Sequence, residues 1–458
     1  MESSALLPGI RRIHFIGIGG SGMCSLAEIL HTLGYEVSGS DDMESDNVSR
    51  LRALGIPVAL PLAAENIRNP EAVVYTVAIC ESHPEMQAAR ALGVPIIERA
   101  ALLGMLTRHY PRSLAVSGTH GKTTTTSMIS QILLEAEFDP ALVIGGRLPL
   151  IEANGRAGHS DILVCEACEF KDHFLEMSPA MSVILNIDAD HLEYFGSLEN
   201  IRRSFRRFAE QTDSLLLVNG DDANTLRAVE GLEGKTIVRF GMMPENEWAA
   251  MNIVPEGPYG RYDLYHKGIF VAHIALSVPG RHNISNSVAA AAAASLLGAS
   301  PEQIAKGLLH FEGAGRRFET IGTVRGITII DDYAHHPTEI TATLEAAKAL
   351  PHHKVWAVFQ PFTYSRTARH LDGFAQALST ADEVVVSDIM GSRETNTWNV
   401  SSSQIIDRLP GSHFIPGFQE ISRFVAEQAQ EGDLVVTMGG GNIYQCARMI
   451  RDRLAEKA

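Results

Sequence analysis

Apolar positions along this chain follow two rhythms in turn. Short continuous runs rich in Val and Ile alternate with longer stretches whose apolar residues recur at helical spacing. The first run, with Ile13, Phe15, Ile16 and Ile18, leads into LAEILHTLG, whose helical spacing stops at Gly34. Apolar runs return at GIPVAL, AVVYTVA and GVPII, with helical segments between them. A second series starts after Tyr110-Pro111 with SLAVSG and a helix following Lys122, and continues through DILVCE, SVILNID and SLLLVNG. A third runs GITIIDDYAHHP, KVWAVFQP, DEVVVSDIM and DLVVTMGGGNIYQCARMIRDRL. Such alternation predicts an α/β protein with parallel, doubly wound sheets. Residues from about 235 to 279 break the rhythm, being richer in Gly, Pro and aromatic residues (RYDLYHKGIFVAHIALSV), and predict antiparallel strands. HNISNSVAAAAAASLLGA then reads as a helix, and EGAGRRFET as a linker into the third series.

At 458 residues the chain exceeds one domain, and roughly 150 residues per domain suggests about three. Hydrophobic residues make up 45% and charged residues 20%, the balance of an ordinary globular protein. The net charge of −16, with no basic run, argues against a nucleic-acid partner, because counterion release needs clustered Lys and Arg. An anionic ligand must then be held by a local site. VAAAAAASLLGA, the longest apolar stretch, is too short to cross a bilayer, and no membrane insertion is expected. MESSALLPGIRRIHF lacks a continuous apolar core, so no signal peptide is expected.

Five cysteines, Cys24, Cys80, Cys165, Cys168 and Cys446, suit a reducing cytoplasm. Cys165 and Cys168 form a C-x-x-C, but a structural zinc needs four ligands and no second pair complements this one. Packing beside a strand is the expectation.

The chemistry concentrates in AVSGTHGKTTTTSM, residues 115–128. It resembles a phosphate loop, with Val116 where the usual G-x-x-x-x-G-K-[ST] pattern has its first glycine. Losing that glycine changes the turn but removes no donor. Gly118, Thr119, His120 and Gly121 can converge backbone N–H groups on phosphates at a helix N-terminus. Lys122 can reach the β and γ oxygens, and Thr123 can place its hydroxyl on Mg²⁺; Thr124 follows in the first helical turn. Open parallel sheets bind ligands past the carboxyl ends of strands. Glu166 ends DILVCE there, and His191 follows SVILNIDAD, so one carboxylate and one imidazole beside a triphosphate is a plausible metal set.

A second glycine loop, Gly17-Ile18-Gly19-Gly20-Ser21-Gly22, follows the first strand, with Ser40-Asp41 at the end of the second. By itself this pattern also fits a dinucleotide-binding dehydrogenase, an NAD(P)-dependent oxidoreductase.

Together these residues resemble the Mur ligase family, ATP-dependent enzymes that add amino acids to the peptidoglycan precursor. The likeness spans HFIGIGGSGM (14–23), SGTHGKTTT (117–125), EACE (166–169), NIDADH (186–191), HNISN (282–286), GRRF (315–318), DDYAHHPTE (331–339) and FQP with SRT (359–367). It implies three domains. Residues 1–109 would be a Rossmann-like UDP-sugar domain, 110–314 a central P-loop ATPase domain with a mainly parallel sheet, and 315–458 a Rossmann-like domain closing over ATP and binding the amino acid. The implied reaction joins L-alanine to the lactyl carboxylate of UDP-N-acetylmuramate through an acyl phosphate, in the cytoplasm. A recycling ligase attaching a tripeptide to the same sugar is the alternative within the family.

The resemblance also implies roles. Lys122, Glu166, His191 and Arg317 would be catalytic, and Thr123, Glu166 and His191 would hold Mg²⁺. ATP would meet residues 118–124, His282, Asn286, Arg317 and Asp332. The UDP-sugar would meet Gly17, Gly19, Gly20, Ser21, Gly22, Ser40 and Asp41. Tyr333, His335 and Arg366 would contact the amino acid. Two departures stand out. Residues 192–212 contain no lysine where some relatives carry a carbamylated one, and Phe362-Thr363 replaces the His-Arg often found after F-Q-P. A monomer and a homodimer both fit the sequence.

Overall fold

The computed structural model describes residues 6–254, 259–392 and 394–456. The first sheet orders its strands Val58–Ala59, Glu36–Ser40, Arg12–Ile16, Ala72–Tyr75 and Ile96–Glu98, all parallel. Chain order reverses beside Arg12–Ile16, so the glycine loop leaves the sheet at its topological switch point, where such sheets bind ligands. Strand Arg12–Ile16 is buried at four of its five positions, as expected for a strand covered on both faces.

The second sheet holds ten strands. Its centre runs Thr236–Gly241, Leu215–Asn219, Met181–Ile184, Arg112–Ser117, Ile162–Glu166 and Ala141–Leu148, all parallel. Ala153–Arg156 closes one edge antiparallel. The antiparallel character expected from residue 235 onward starts later. Thr236–Gly241 and Trp248–Met251 pair parallel, and only the next strand, Tyr259–His266, runs antiparallel to Trp248–Met251. The alternation read from the sequence lies in the later strands, Tyr259–His266 and Ile269–Pro279, whereas Thr236–Gly241 (TIVRFG) does not alternate and runs parallel to both of its neighbours.

The third sheet orders Glu319–Val324, Ile327–Asp332, Leu434–Met438, Val355–Phe359, Glu383–Val386 and His413–Phe414. Only its first pair is antiparallel. Val355–Phe359 and Leu434–Met438 are buried throughout.

Two compact units result. One comprises residues 1–251, 263–273 and 285–310 as far as they are described, and the other 252–262, 274–284 and 311–458. The first two sheets fall in the same unit because they share a core. Ile13, Phe15, Leu26 and Ile29 belong to one apolar cluster with Val143, Leu163, Phe174 and Phe205. The helix Ser21–Thr32 seals that contact, with Glu28 accepting from the Ala157 N–H at 3.1 Å. Gly155 is required there, since a Cβ would stand 2.5 Å from Ser25 Oγ. In the second unit two apolar layers, one with Ile340, Leu344 and Phe374 and one with Ile421, Val425 and Ile450, contain residues from the third sheet. Among the described residues no helix is long and apolar enough to cross a membrane. Cys165 lies buried within its strand, where burial drives the thiol well above its ordinary value, and all five cysteines are free.

Candidate active site

The phosphate loop joins the strand Arg112–Ser117 to the helix Lys122–Glu135. Gly118 and Gly121 both adopt left-handed backbone, with φ of +143° and +85°, which L side chains avoid. The loop is stapled to the segment after Met181–Ile184. Asn186 Oδ1 accepts from the His120 N–H at 2.8 Å, Asn186 Nδ2 donates to the His120 carbonyl at 3.0 Å, and the Asp188 N–H donates to Thr119 Oγ1 at 2.9 Å. Asn286 closes the other side. A Cβ on Gly121 would stand 2.6 Å from Asn286 Oδ1, so the side chain expected beside a nucleotide abuts the loop itself.

Lys122 Nζ donates to the carbonyls of Gly118 and Thr119 at 2.5 and 3.1 Å, and pairs with Glu169 at 2.9 Å. Burial opposes the charge of Lys122, but its acidic neighbours, Glu169 foremost, outweigh it and hold the ammonium above its ordinary range. Burial also pushes the Cys168 thiol up to about 11, so the C-x-x-C sulfurs stay protonated. Thr123 Oγ1 donates to Glu166 Oε2 at 3.1 Å, and the Gly145 N–H donates to Glu166 Oε1 at 2.5 Å. Thr124 lies half-buried one residue on. His191 takes left-handed backbone at φ 51°. Its ring nitrogens lie 3.4 Å from Glu193 and 3.7 Å from Asp190, and its ring packs on Phe170.

Among the described residues, no three His, Cys, Asp or Glu side chains cluster as a ready cation cage. The Thr123–Glu166 pair nonetheless suits Mg²⁺, which takes hard oxygen donors, uses few protein ligands and keeps phosphate oxygens and water.

In the first sheet, the N–H groups of Gly17 and Ile18 donate to the Ser40 carbonyl at 2.9 and 3.0 Å. The Gly19 N–H donates to Asp41 Oδ2 at 2.7 Å, and Asn47 Nδ2 donates to the Gly19 carbonyl at 2.7 Å. Gly20, Ser21 and Gly22 carry the chain into the helix. The Ser40 hydroxyl faces inward instead. It donates to Glu85 at 2.6 Å and lies 3.3 Å from His14 Nε2, with all three side chains buried. Ser40 therefore reaches the loop only through its carbonyl. Burial lowers His14 to about 4, against the pull of Glu85.

In the second unit, Arg316 and Arg317 both lie over the Tyr333 ring, with guanidinium carbons 4.9 and 5.1 Å from its centroid. Asp332 is buried and accepts from the N–H groups of Phe318 and Ala334, each at 2.7 Å. Burial raises it to about 6, with Arg317 opposing. His282 is lowered to about 4, by burial first and by Arg317 second. The His335 ring packs 5.2 Å from Tyr333 and 6.1 Å from Phe362, so the Phe362 departure lies against an expected amino-acid contact. Arg366 lies in the helix Tyr364–Arg369, capped by Thr363.

Sequence reasoning passed over three residues that shape these sites. Glu169 holds Lys122, Asn186 clamps the phosphate loop, and Arg316 takes the structural place beside Arg317. Each stands inside a motif already quoted (EACE, NIDADH, GRRF), so the signal was present without a role attached.

Three family descriptions match the chain in order. "Mur ligase family, catalytic domain" covers residues 12–111, "Mur ligase middle domain" 116–294, and "Mur ligase, glutamate ligase domain" 316–441. The chain belongs to the Mur ligase family. UDP-N-acetylmuramate–L-alanine ligase of Caldanaerobacter subterraneus subsp. tengcongensis is 45% identical over 446 residues, covering 96% of this chain and 97% of that protein. The enzyme of the same name from Agathobacter rectalis is 47% identical over 441 residues, 94% of this chain and 96% of its own. Among solved structures, the UDP-N-acetylmuramate-alanine ligase of Thermotoga maritima superposes with a TM-score of 0.82 at 30% identity, covering 98% of this chain and 100% of that one. A murein peptide ligase from Psychrobacter arcticus gives 0.74 at 25% identity, over 97% and 99% of the two chains. This Mur ligase is thus a three-domain α/β protein with mainly parallel sheets.

Proposed function

We infer that this chain is an ATP-dependent ligase that joins L-alanine to the lactyl carboxylate of UDP-N-acetylmuramate, in peptidoglycan precursor synthesis. The observation that carries this reading is full-length likeness to alanine ligases, at 41 to 47% identity across eight relatives. The tripeptide ligase reading has weaker support, from a structure at 25% identity. ATP phosphorylates the lactyl carboxylate, the alanine amine attacks the acyl phosphate, and amide, ADP and phosphate result. Its substrates place the enzyme in the cytoplasm, and the domain divisions at 109/110 and 314/315 accompany this reading.

The residue roles follow from phosphoryl-transfer chemistry, which rests mostly on positioning and charge stabilisation. Gly118 to Thr124 cradle the ATP phosphates, and Lys122 supplies a fixed positive charge that Glu169 orients. Thr123 and Glu166, with His191, hold Mg²⁺. The bound ion would neutralise charge on the phosphates and template the transfer. Arg317 adds the second cation of the set. Asp332, His282 and Asn286 are assigned to the nucleoside of ATP. Gly17, Gly19, Gly20, Ser21, Gly22 and Asp41 form the UDP-sugar loop, with Ser40 acting through its carbonyl. Tyr333, His335 and Arg366 face the amino acid.

The test measures ADP release with UDP-N-acetylmuramate against a panel of amino acids and the tripeptide. Turnover with alanine alone is expected. Turnover with the tripeptide and not alanine would transfer the chain to the recycling reaction, and NADH binding in place of UDP would revive the oxidoreductase alternative. Replacing His191 by Ala should raise the Mg²⁺ concentration for half activity, and an unchanged requirement would remove it from the metal set.

A further inference from the structure

Three neighbouring strands of the third sheet end level with one another. Asp332 stands opposite Met438, and Met438 opposite Phe359, in parallel register. The segments that leave them, residues 333–335, 439–441 and 360–362, therefore emerge side by side, at the carboxyl edge where parallel sheets take ligands. The middle segment is all glycine. A Cβ on Gly440 would stand 3.1 Å from Phe362 Cγ and 3.3 Å from His335 Cγ, and one on Gly441 would stand 3.0 Å from Met390 Cγ. The His335 and Phe362 rings, 6.1 Å apart and at 86° to each other, thus flank a floor of bare backbone.

That floor is held in place. Arg316 donates to the carbonyls of Gly439 and Gly441, each at 2.8 Å, while its Nε meets the buried Asp331 at 3.0 Å. Phe362 is fixed from both sides. The Pro361 carbonyl accepts from the Met390 N–H and the Thr363 N–H donates to the Met390 carbonyl, both at 2.9 Å. Phe362 itself is half-buried, so part of its ring stays open. At the Gly441 end of the floor lies Gln360, 5% exposed, whose Nε2 donates to Asn442 Oδ1 at 3.1 Å. Its Oε1 is buried without a hydrogen-bond partner among the described residues. An acceptor left that way is costly, and an ammonium group is a donor that would complete it. Phe362 and Met390 add apolar surface, so the cleft suits an amino compound with a short apolar side chain.

We propose that Phe362 is a specificity-determining residue, whose ring, held against the glycine floor, limits the side chain of the acceptor to about the size of a methyl group. This rests on the ligase reading above. The test uses the full-length protein with Phe362→Ala, Phe362→Leu and Gly440→Ala. It measures ADP release at saturating ATP and UDP-N-acetylmuramate, with glycine, L-alanine, L-2-aminobutyrate and L-valine as acceptors. The wild type should prefer alanine. Phe362→Ala should raise kcat/KM for L-2-aminobutyrate relative to alanine by about 10-fold or more, with L-valine following, and Phe362→Leu should shift the ratio by less. Gly440→Ala adds a methyl group to the floor and should raise KM for alanine more than for glycine. KM for ATP should stay unchanged in all three. An unchanged ratio of L-2-aminobutyrate to alanine in both Phe362 variants would overturn the proposal. So would an equal loss toward every acceptor in variants that keep the wild-type urea midpoint. A wild-type protein that releases ADP with none of these amino acids would instead overturn the alanine-ligase reading.

Discussion

Replacing Glu169 by Gln removes the counter-charge of Lys122 while keeping the size of the side chain. The pair is buried on both sides, with exposures of 16% for Lys122 and 4% for Glu169, and is 2.9 Å apart. Removing one partner of a buried pair typically costs about 3–5 kcal/mol. Two backbone carbonyls still accept from the ammonium, so we expect the lower end, about 3 kcal/mol. The pH dependence gives the sharper check. In the wild type the raised pKa keeps the lysine's contribution to stability full below 10.5, and it is lost only as pH climbs through the higher folded value. Without Glu169 burial prevails and the folded pKa falls below 10.5. The variant then pays for a buried charge at neutral pH and regains stability as the lysine deprotonates. Urea unfolding of both proteins at pH 7 and near pH 10 should show a lower midpoint for Glu169→Gln at pH 7 and a smaller gap at the higher pH. Equal midpoints at pH 7, or a gap indifferent to pH, would refute the argument that Glu169 holds the charge of Lys122.

Gly121→Ala must adopt φ +85° and place a Cβ 2.6 Å from Asn286; with left-handed backbone costing roughly 1–2 kcal/mol, KM for ATP should rise about tenfold or more while calorimetric affinity for UDP stays constant. Asp332 is raised from 3.8 to about 6, so its contribution to stability is full below the lower value and is lost as pH rises through the upper one. Asp332→Asn should remove that slope, worth roughly 3 kcal/mol, in urea midpoints compared at pH 4 and pH 7. His14, lowered from 6.5 to about 4, contributes with the opposite sign, stabilising above the upper value and losing that effect as pH falls, so His14→Asn should flatten the acid limb. Arg316→Lys loses a fork that reaches Asp331 at 3.0 Å and the carbonyls of Gly441 and Gly439 at 2.8 Å; an unfolding free energy lower by about 2 kcal/mol is expected by urea titration.

Local pattern was sufficient to read the alternation of strand and helix and the two glycine-rich turns, because both depend on neighbouring residues. The phosphate loop was recognisable despite Val116, since its function rests on Gly118, Gly121, Lys122 and the helix start, and Val116 is a buried strand residue. Strand direction near residue 236 was not legible, because the alternation lies in residues 261–278 while TIVRFG has none, and its direction is set by the strands beside it. The inward turn of Ser40 was equally hidden. Its position at a strand end fits a ligand contact, and only Glu85, 45 residues away, draws the hydroxyl into the interior.

By itself the sequence determined the elements, the loops that converge backbone N–H groups, and the identity of the charges near them. Only the tertiary structure decided which charges meet. Glu169 rather than solvent faces Lys122, Arg316 rather than Arg317 anchors the Gly439–Gly441 turn, and the first two sheets share one core. The physical reason is range. Turn geometry and helical periodicity are set within a few residues, whereas burial, ion pairing and the pKa values that follow arise between residues tens to hundreds of positions apart.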